Sequence, residues 1–312
     1  MKRTLMKITL SQAITMSLEA KQAQRLSGNT LIDYKRTYRK FQAFFVYDPR
    51  VINITVQDIC KFLNSLDGVS KKTVLNCHIG LSSLWTWLKE EEICPENIVR
   101  KVKRPKPEIR AIDPFTREEV VALLDALERP LHTRVQGKKS CSHRLPNILR
   151  NRAIILLLLD TGIRATELCT LQFKDLNLNR VKVFGKGSKE RILPISARTR
   201  QVIREYLENE RRDPVTQDDY LFVTRWNKPL SNDELYHLVA HAGARAGISR
   251  AHPHKFRHTF AINFLRNGGN IYALQMMLGH SSLEMVKRYL AIAQADLEEI
   301  HKKASPVTSW QL

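Results

Sequence analysis

The sequence predicts a mainly α-helical protein with a small antiparallel β-sheet, organised as two domains. Three observations predict this fold class. Apolar residues recur at helical spacing along the first third of the chain, and a basic segment with two prolines follows it. In the second half, two short alternating segments flank a glycine-containing turn. A chain of 312 residues is long enough for two domains.

Residues 1–99 are predicted to form an all-helical domain. One helix is expected near residues 30–45 and another over residues 71–91, because apolar side chains repeat at intervals of three and four residues in both segments. The aromatic side chains of these stripes, among them Tyr38, Phe41 and Trp85, are interpreted as core residues and not as stacking platforms for bases.

Residues 100–114 are predicted to form a linker between the domains. The first eight residues contain two prolines and five basic side chains, a composition that excludes a regular helix. The segment could be simply solvated, but a basic strap along a duplex is favoured because it would join two DNA-binding halves. The candidate DNA contacts in it are Lys101, Lys103, Arg104 and Lys106.

Residues 115–312 are predicted to form the second domain, in which helices accompany the sheet. A dense apolar run over residues 153–159 predicts a buried helix that ends at Gly162. Arg164 and Glu167 follow at the start of the next helix, and their spacing of three places them on one face. Alone, they could be a helix-start ion pair.

A β-hairpin is predicted further along this domain. Residues 181–184 and 191–195 alternate like two short strands, and residues 185–188 form the turn between them. Lys186 lies in this turn, and Lys189 and Arg191 follow it as further candidate DNA contacts. The alternative is a solvated basic hairpin that touches only the DNA backbone.

Two more segments contain residue types that can bind an anion or transfer a proton. Pro253 suits a first helical turn, and His254 and Arg257, three residues apart, share a helix face. His258 is interpreted as a structural residue that faces elsewhere. His280 lies at the start of a later helix and Tyr289 follows it by nine residues. Taken together, two arginines, two or three histidines and a tyrosine at segment ends suggest a site for a phosphate diester.

Composition agrees with an anionic partner. The chain has 51 Lys and Arg residues against 31 Asp and Glu, a formal net charge of +20, which favours binding to a polyanion. This balance does not distinguish DNA from RNA, or a catalyst from a passive binder. Five cysteines without C-x-x-C spacing, and no apolar segment of membrane-spanning length, predict a reduced, cytoplasmic chain.

The chain resembles the tyrosine recombinases of the phage-integrase and Xer type. Their pattern is an arginine in T-G-x-R-x-x-E-L, a lysine in a β-hairpin, an H-x-x-R pair, a histidine in L-G-H and a tyrosine nine residues later. The likeness spans residues 117–290, with a weaker likeness over residues 30–107. The matching residues occur here in the family's order: Arg164, Lys186, His254 with Arg257, His280, and Tyr289.

The resemblance implies a DNA clamp of two domains. An all-α, SAM-like core-binding domain, residues 1–99, and an α+β catalytic domain, residues 115–312, would close around double-stranded DNA that carries specific recombination sites. It also implies a homotetramer on paired sites, in which the segment after Tyr289 docks on a neighbouring subunit.

The expected chemistry is transesterification at phosphorus. Such a reaction needs a nucleophile, neutralisation of the non-bridging oxygens and a proton for the departing 5′ oxygen. Tyr289 is the expected nucleophile, and Arg164 and Arg257 can present paired N–H donors to the phosphate. Because a phosphotyrosine conserves the bond energy and two arginines neutralise the phosphate, no ATP, metal ion or other cofactor is expected.

The remaining site residues are expected to move protons or to position others. Lys186 is the candidate general acid. His254 and His280 would donate hydrogen bonds to the phosphate or take the tyrosine proton. Glu167 would hold an arginine or a histidine in place.

The expected function is therefore site-specific DNA recombination of the integration or excision type. The alternatives are an Xer-like resolvase of chromosome or plasmid dimers, a type IB topoisomerase, and a non-catalytic DNA-binding regulator, although a regulator has no need for Tyr289. Integration is ranked above dimer resolution because of the segment after Tyr289 and a basic segment over residues 129–148. That basic segment is interpreted as a loop with DNA or subunit contacts.

Overall fold

The structure, a computed structural model, divides the chain into two compact units, Met1–Ala111 and Ile112–Leu312. It describes residues 8–107, 112–128, 131–133, 141–143, 147–185, 190–211, 216–280, 282–293, 301 and 305–310. Both units are built mainly of helices, and the larger unit also contains a small antiparallel sheet. The predicted fold class is therefore confirmed. The division between the units falls within the segment predicted to be a linker.

The first unit is a helical bundle. Its helices are α1 (Leu10–Ala23), α2 (Gly28–Ala43), α3 (Val56–Asn64) and α4 (Lys71–Glu90), with short 3₁₀ turns at Val51–Asn53 and Ile98–Lys101. Each helix begins at a serine or threonine whose side chain accepts a backbone N–H from the first turn. Tyr38, Phe41 and Trp85 are fully buried in the core, as the sequence predicted.

The basic segment after the first unit's last turn has no regular secondary structure over residues 103–107. Its four candidate DNA contacts, Lys101, Lys103, Arg104 and Lys106, are all exposed. The ammonium of Lys101 pairs with the carboxylate of Glu96. Arg100 and Lys101 lie in the 3₁₀ turn, so the irregular part of the segment begins later than residue 100.

The second unit contains the remaining elements. In chain order its helices are α5 (Arg117–Glu128), α6 (Ile148–Thr161), α7 (Ala165–Cys169), α8 (Ala197–Asn209), α9 (Asn232–Arg245), α10 (Pro253–Arg266), α11 (Ile271–Leu278), α12 (Glu284–Ala293) and α13 (Pro306–Ser309). Its strands are β1 (Leu131–Thr133), β2 (Cys141–His143), β3 (Leu176–Asn177), β4 (Arg180–Phe184) and β5 (Glu190–Pro194).

The central sheet is antiparallel with the strand order β3-β4-β5. Val181 pairs with Leu193 and Val183 with Arg191, and the apolar members of these pairs are buried against the helical core. The predicted hairpin is thus present, and β3 adds a third strand that the sequence did not indicate. The turn residues 186–189 lie outside the described residues, and so do Lys186 and Lys189.

The basic segment over residues 129–148 was expected to be a loop, and this expectation is wrong for part of it. Strands β1 and β2 pair in antiparallel register, with Leu131 opposite His143 and Thr133 opposite Cys141. The pairing satisfies backbone groups that an extended loop would leave to water. Three-residue strands are too short to show an alternating pattern in the sequence.

Helix α6 forms the centre of the second unit's core. Ile154, Leu157 and Leu158 are fully buried, as the apolar run predicted. The helix ends at Gly162, which has a φ of +61°, and a Cβ there would lie 2.5 Å from a ring carbon of Phe260. Both the left-handed backbone and the close ring require glycine. The turn that follows delivers Arg164 to the site. Among the described residues, no helix is both long and apolar enough to cross a membrane.

Candidate active site

Three arginines converge on the end of helix α11. Arg164 immediately precedes α7, Arg191 lies on β5 and Arg257 lies on α10. Their hydrogen bonds run from Arg191 Nε to Met277 O (2.7 Å), from Arg257 Nη2 to Leu278 O (2.6 Å) and from Arg164 Nη2 to Gly279 O (2.9 Å). These carbonyls lack partners within the helix and carry the negative end of its dipole, so they attract cations.

Gly279 provides the carbonyl oxygen that accepts the hydrogen bond from Arg164. Its φ is +62°, which ends α11 in the left-handed conformation and turns the chain toward His280. A Cβ at this position would lie 3.1 Å from Arg191 Nη1 and 3.4 Å from Arg164 Nη1. The glycine of the L-G-H motif therefore allows two guanidinium groups to approach the backbone closely.

Glu167 joins two of the arginines. Arg191 binds its carboxylate in a bidentate pair of 2.8 and 2.7 Å, and Arg164 Nη1 donates to it at 2.8 Å. Burial raises the pKa of Glu167, but the hydrogen bonds and charges of Arg191 and Arg164 outweigh it, so the net pKa lies below its usual value. The carboxylate therefore stays ionised and fixes both guanidinium planes.

The prediction that Arg191 contacts DNA does not fit this geometry. The side chain is only 10 % exposed, and its donors bind Glu167 and the Met277 carbonyl. The guanidinium of Arg191, held by these bonds, fixes Glu167 and the end of α11 relative to β5. The sequence could not reveal this role, because Arg191 and Glu167 are 24 residues apart.

Arg257 is buried, and its hydrogen bond to His280 determines which ring nitrogen carries the proton. It is 2 % exposed and donates to Gly162 O (2.8 Å), Leu278 O and His280 Nε2 (2.9 Å). Because a guanidinium only donates, Nε2 of His280 is the acceptor and its proton resides on Nδ1. Burial and the charge of Arg164 lower the pKa of Arg257 to about 10. Burial and the neighbouring arginines lower the pKa of His280 to about 4, so its ring is neutral at neutral pH.

Tyr289 lies on α12, next to these groups. Its side chain is 4 % exposed and packs in an apolar cluster with Phe260, Leu274 and Val286. Burial raises its pKa, and the charge of Arg257 partly offsets this rise. The ring lies nearly parallel to that of His280, with the centroids 6.4 Å apart.

His258 contacts Tyr289 directly, contrary to the prediction that it faces elsewhere. Its Nδ1 lies 2.9 Å from Tyr289 Oη, and its ring packs edge-on against His254 with the centroids 4.4 Å apart. His254 itself is on the exposed side of α10, and its pKa is lowered by partial burial and by Arg257. The missed signal was the spacing of four residues between the two histidines, which places them on one helix face.

The site therefore carries uncompensated positive charge. Three guanidinium groups lie near one carboxylate, which pairs with two of them, and His258 and His280 are neutral at neutral pH. Positive charges in partly buried surroundings favour an anionic ligand, and a phosphate diester matches both the charge and the donor geometry. Of the predicted site residues, Arg164, Glu167, His254, Arg257, His280 and Tyr289 come together here, whereas Lys186 lies outside the described residues.

Loss of the carboxylate should destabilise this cluster. Glu167→Ala leaves the nearly buried Arg191 without its partner, and we expect a loss of about 3–5 kcal/mol in the free energy of unfolding, measured by urea titration at neutral pH. Because the folded pKa is lowered, the stabilisation is present above the unfolded pKa, near ~4.3, and is lost as the pH falls through the folded value.

The matched control is Glu208→Gln, at an exposed position on α8. Glu167→Gln, which keeps the side-chain size, should lose this acid-dependent part of the stability, and Glu208→Gln should keep it. A Glu167→Ala protein as stable as the control would contradict the central place of this carboxylate.

Known proteins match this chain along most of its length. A model of the Phage integrase family matches residues 115–296, more than half of the chain. Tyrosine recombinase XerD of Staphylococcus haemolyticus (strain JCSC1435) is 31 % identical over 291 residues, covering 90 % of this chain and 94 % of the relative. XerD of Haemophilus ducreyi (strain 35000HP) is 31 % identical over 294 residues, covering 91 % and 93 %.

Solved structures share the fold. A post-cleavage complex of the XerH site-specific recombinase with a palindromic difH substrate has a TM-score of 0.70 and 22 % identity, covering 94 % of this chain and 84 % of that one. A lambda integrase (75–356) dimer bound to a COC′ core site has a TM-score of 0.71 and 18 % identity, covering 89 % and 97 %. The family match, the XerD relatives and the arginine-rich site agree: the chain belongs to the phage integrase family of tyrosine recombinases, enzymes that cleave and rejoin DNA.

Proposed function

We propose that this enzyme performs site-specific DNA recombination of the integration or excision type, through a 3′-phosphotyrosine at Tyr289. The observation that carries the proposal is the convergence of three arginines and one carboxylate beside a buried tyrosine. An excess of two positive charges, set next to a hydroxyl nucleophile, suits a phosphodiester that is to be cleaved by transesterification.

In the proposed step, Tyr289 Oη attacks the scissile phosphorus while the bond from phosphorus to the 5′ oxygen breaks. The tyrosine proton passes to a base, and the departing 5′ oxygen takes a proton from an acid. Lys186 is proposed as this acid on the strength of the family pattern. Attack by a 5′ hydroxyl on the phosphotyrosine reverses the step and rejoins a strand. No bond energy is lost, so no ATP is consumed.

The two arginines differ in their access to the phosphate. The side chain of Arg164 is 33 % exposed, so it can donate directly to a non-bridging oxygen. Arg257 is nearly inaccessible and already donates to two carbonyls and His280. We therefore assign Arg164 as the direct ligand. Arg257 supplies positive charge beside the phosphate site and fixes the ring of His280, whose Nδ1 is buried and has no hydrogen-bond partner among the described residues.

The proposed partner is double-stranded DNA with specific recombination sites. A lambda integrase tetramer bound to a Holliday junction shares the fold, with a TM-score of 0.70. We propose that this chain also assembles as a tetramer on paired sites, in the cytoplasm. The exposed Val307 and Trp310, near the chain end, offer apolar side chains for docking on a neighbouring subunit. Lys101, Lys103, Arg104, Lys106 and Lys189 are proposed as contacts to DNA phosphates.

Resolution of chromosome or plasmid dimers is the second candidate function. It is favoured by the XerD relatives, which align along nine tenths of this chain. Recombination assays on plasmids that carry either a dimer-resolution site or the ends of a mobile element distinguish the two candidates. Relaxation of any supercoiled DNA without a preferred site would instead support a type IB topoisomerase.

Covalent trapping tests the proposal. The enzyme is incubated in EDTA with a nicked suicide substrate that carries candidate attachment DNA from beside the gene. We expect a covalent protein–DNA adduct that resists denaturation, and mass spectrometry of the digested adduct should place the phosphate on the peptide containing Tyr289. A phosphate on another residue would mean that the nucleophile is wrong.

A further inference from the structure

The hydroxyl of Tyr289 already has a hydrogen-bond partner in the protein. His258 Nδ1 lies 2.9 Å from Tyr289 Oη, and the two rings are 5.6 Å apart between centroids. His258 is on α10 and Tyr289 is on α12, helices that pack against each other. Among the described residues, no other side chain is hydrogen-bonded to this hydroxyl.

The other two histidines of the site are placed for different contacts. His280 Nε2 accepts a hydrogen bond from Arg257, so this nitrogen cannot also accept the tyrosine proton. His254 is exposed and packs edge-on against His258, without a hydrogen bond to Tyr289. Of the three rings, only that of His258 presents a nitrogen to the tyrosine oxygen.

We propose that His258 is the general base that takes the proton of Tyr289 during DNA cleavage. This inference rests on the proposed function, in which Tyr289 is the nucleophile. As the bond from Oη to phosphorus forms and the bond from phosphorus to the 5′ oxygen breaks, the Oη proton moves to Nδ1 of His258. The 5′ oxygen receives its proton from the separate acid. In rejoining, a 5′ hydroxyl attacks phosphorus and gives its proton back to the separate acid, while the bond from phosphorus to Oη breaks and His258 returns the proton to Oη.

The surroundings of His258 couple this proton transfer to DNA binding. The groups that face it are His252, His254 and Arg257 from α10 and its N-cap, and Arg288 from α12. Burial, together with these neighbours, lowers the pKa of His258 to about 4, so the free enzyme disfavours its protonated form. A bound phosphodiester would add negative charge beside the arginines and so shift the pKa of His258 upward, which would favour transfer of the tyrosine proton when DNA is bound.

Two substitutions separate proton transfer from simple positioning. His258→Asn places an amide oxygen where Nδ1 accepts the hydrogen bond, but the amide cannot hold a proton. His258→Ala removes both functions and leaves space for added imidazole. The control is His237→Asn, at an exposed position on α9. The readouts are the single-turnover rate of adduct formation on the nicked suicide substrate as a function of pH, and DNA affinity by gel shift.

We expect both His258 variants to form the adduct about 10²–10⁴-fold more slowly than the wild type, the range for loss of a general base. DNA affinity should be unchanged, and added imidazole should restore part of the rate in His258→Ala only. The pH dependence that reports protonation of His258 should be absent in His258→Asn, whose slower rate should instead rise with pH as Tyr289 itself ionises. His237→Asn should behave as the wild type.

Two results would overturn the inference. A wild-type rate in His258→Asn would mean that the residue only holds the tyrosine, and a wild-type rate in His258→Ala would remove it from the reaction. Both leave the proposed function intact, provided that the wild type still forms an adduct at Tyr289. If the wild type forms none on DNA that it binds specifically, the proposed function and this inference fail together.

Discussion

Tyr289→Phe should bind DNA but form no covalent adduct with it. Phenylalanine has no nucleophilic oxygen, so the protein cannot begin the transesterification. The ring still fills the apolar cluster around Phe260 and Val286, and the fold should therefore persist. Loss of the hydrogen bond to His258 should cost about 1 kcal/mol of unfolding free energy. Adduct formation on the nicked suicide substrate and a urea titration measure the two effects.

The control for this substitution is Tyr272→Phe, at a position that is 62 % exposed on α11. It should form the adduct at the wild-type rate. An adduct in Tyr289→Phe would show that another residue attacks the phosphorus. Unchanged biological activity of Tyr289→Phe would favour a DNA-binding regulator on the same scaffold.

Arg257→Lys should reduce the rate of DNA cleavage by about 10²-fold, the effect of misplacing groups around the reacting atoms. A lysine keeps the charge but has a single nitrogen, which cannot bond Gly162 O, Leu278 O and His280 Nε2 together as the guanidinium does. His280 then loses the bond that fixes its ring. Each buried carbonyl left without a donor should also cost about 1–3 kcal/mol of stability.

Single-turnover cleavage and urea unfolding test this expectation. The control is Arg266→Lys, an exposed position at the end of the same helix, which should change neither quantity. Cleavage by Arg257→Lys at the wild-type rate would show that charge alone, and not the three-way hydrogen bonding, is what the site requires.

Local spacing was sufficient to predict several features. The apolar run that ends at Gly162 lies within one helix, and Arg164 and Glu167 are three residues apart, so both predictions depended on interactions along one segment. The alternation on either side of residues 185–188 predicted the β4–β5 hairpin in the same way. Strands β1 and β2 were missed because three residues do not establish a period.

The contacts of Arg191 and His258 differ from those expected from the sequence, for a common reason. Each depends on a partner that is distant in the chain: 24 residues separate Arg191 from Glu167, and 31 separate His258 from Tyr289. The sequence predicted Arg191 to be an exposed cation in a basic hairpin, and His258 to be a structural residue because it lies one residue beyond the H-x-x-R pair. The packing of β5 against α11 and of α10 against α12 determines what they contact.

By itself, the sequence determined the fold class, the motifs that place the chain in its family and the excess of positive charge. These properties depend on residue type and on short spacings. Only the tertiary structure decided which guanidinium groups face Glu167, that three arginines meet the carbonyls ending α11, and which histidine contacts the tyrosine. A hydrogen bond forms only within a few tenths of an ångström of its ideal length, and that distance is set by the packing of elements far apart in the chain.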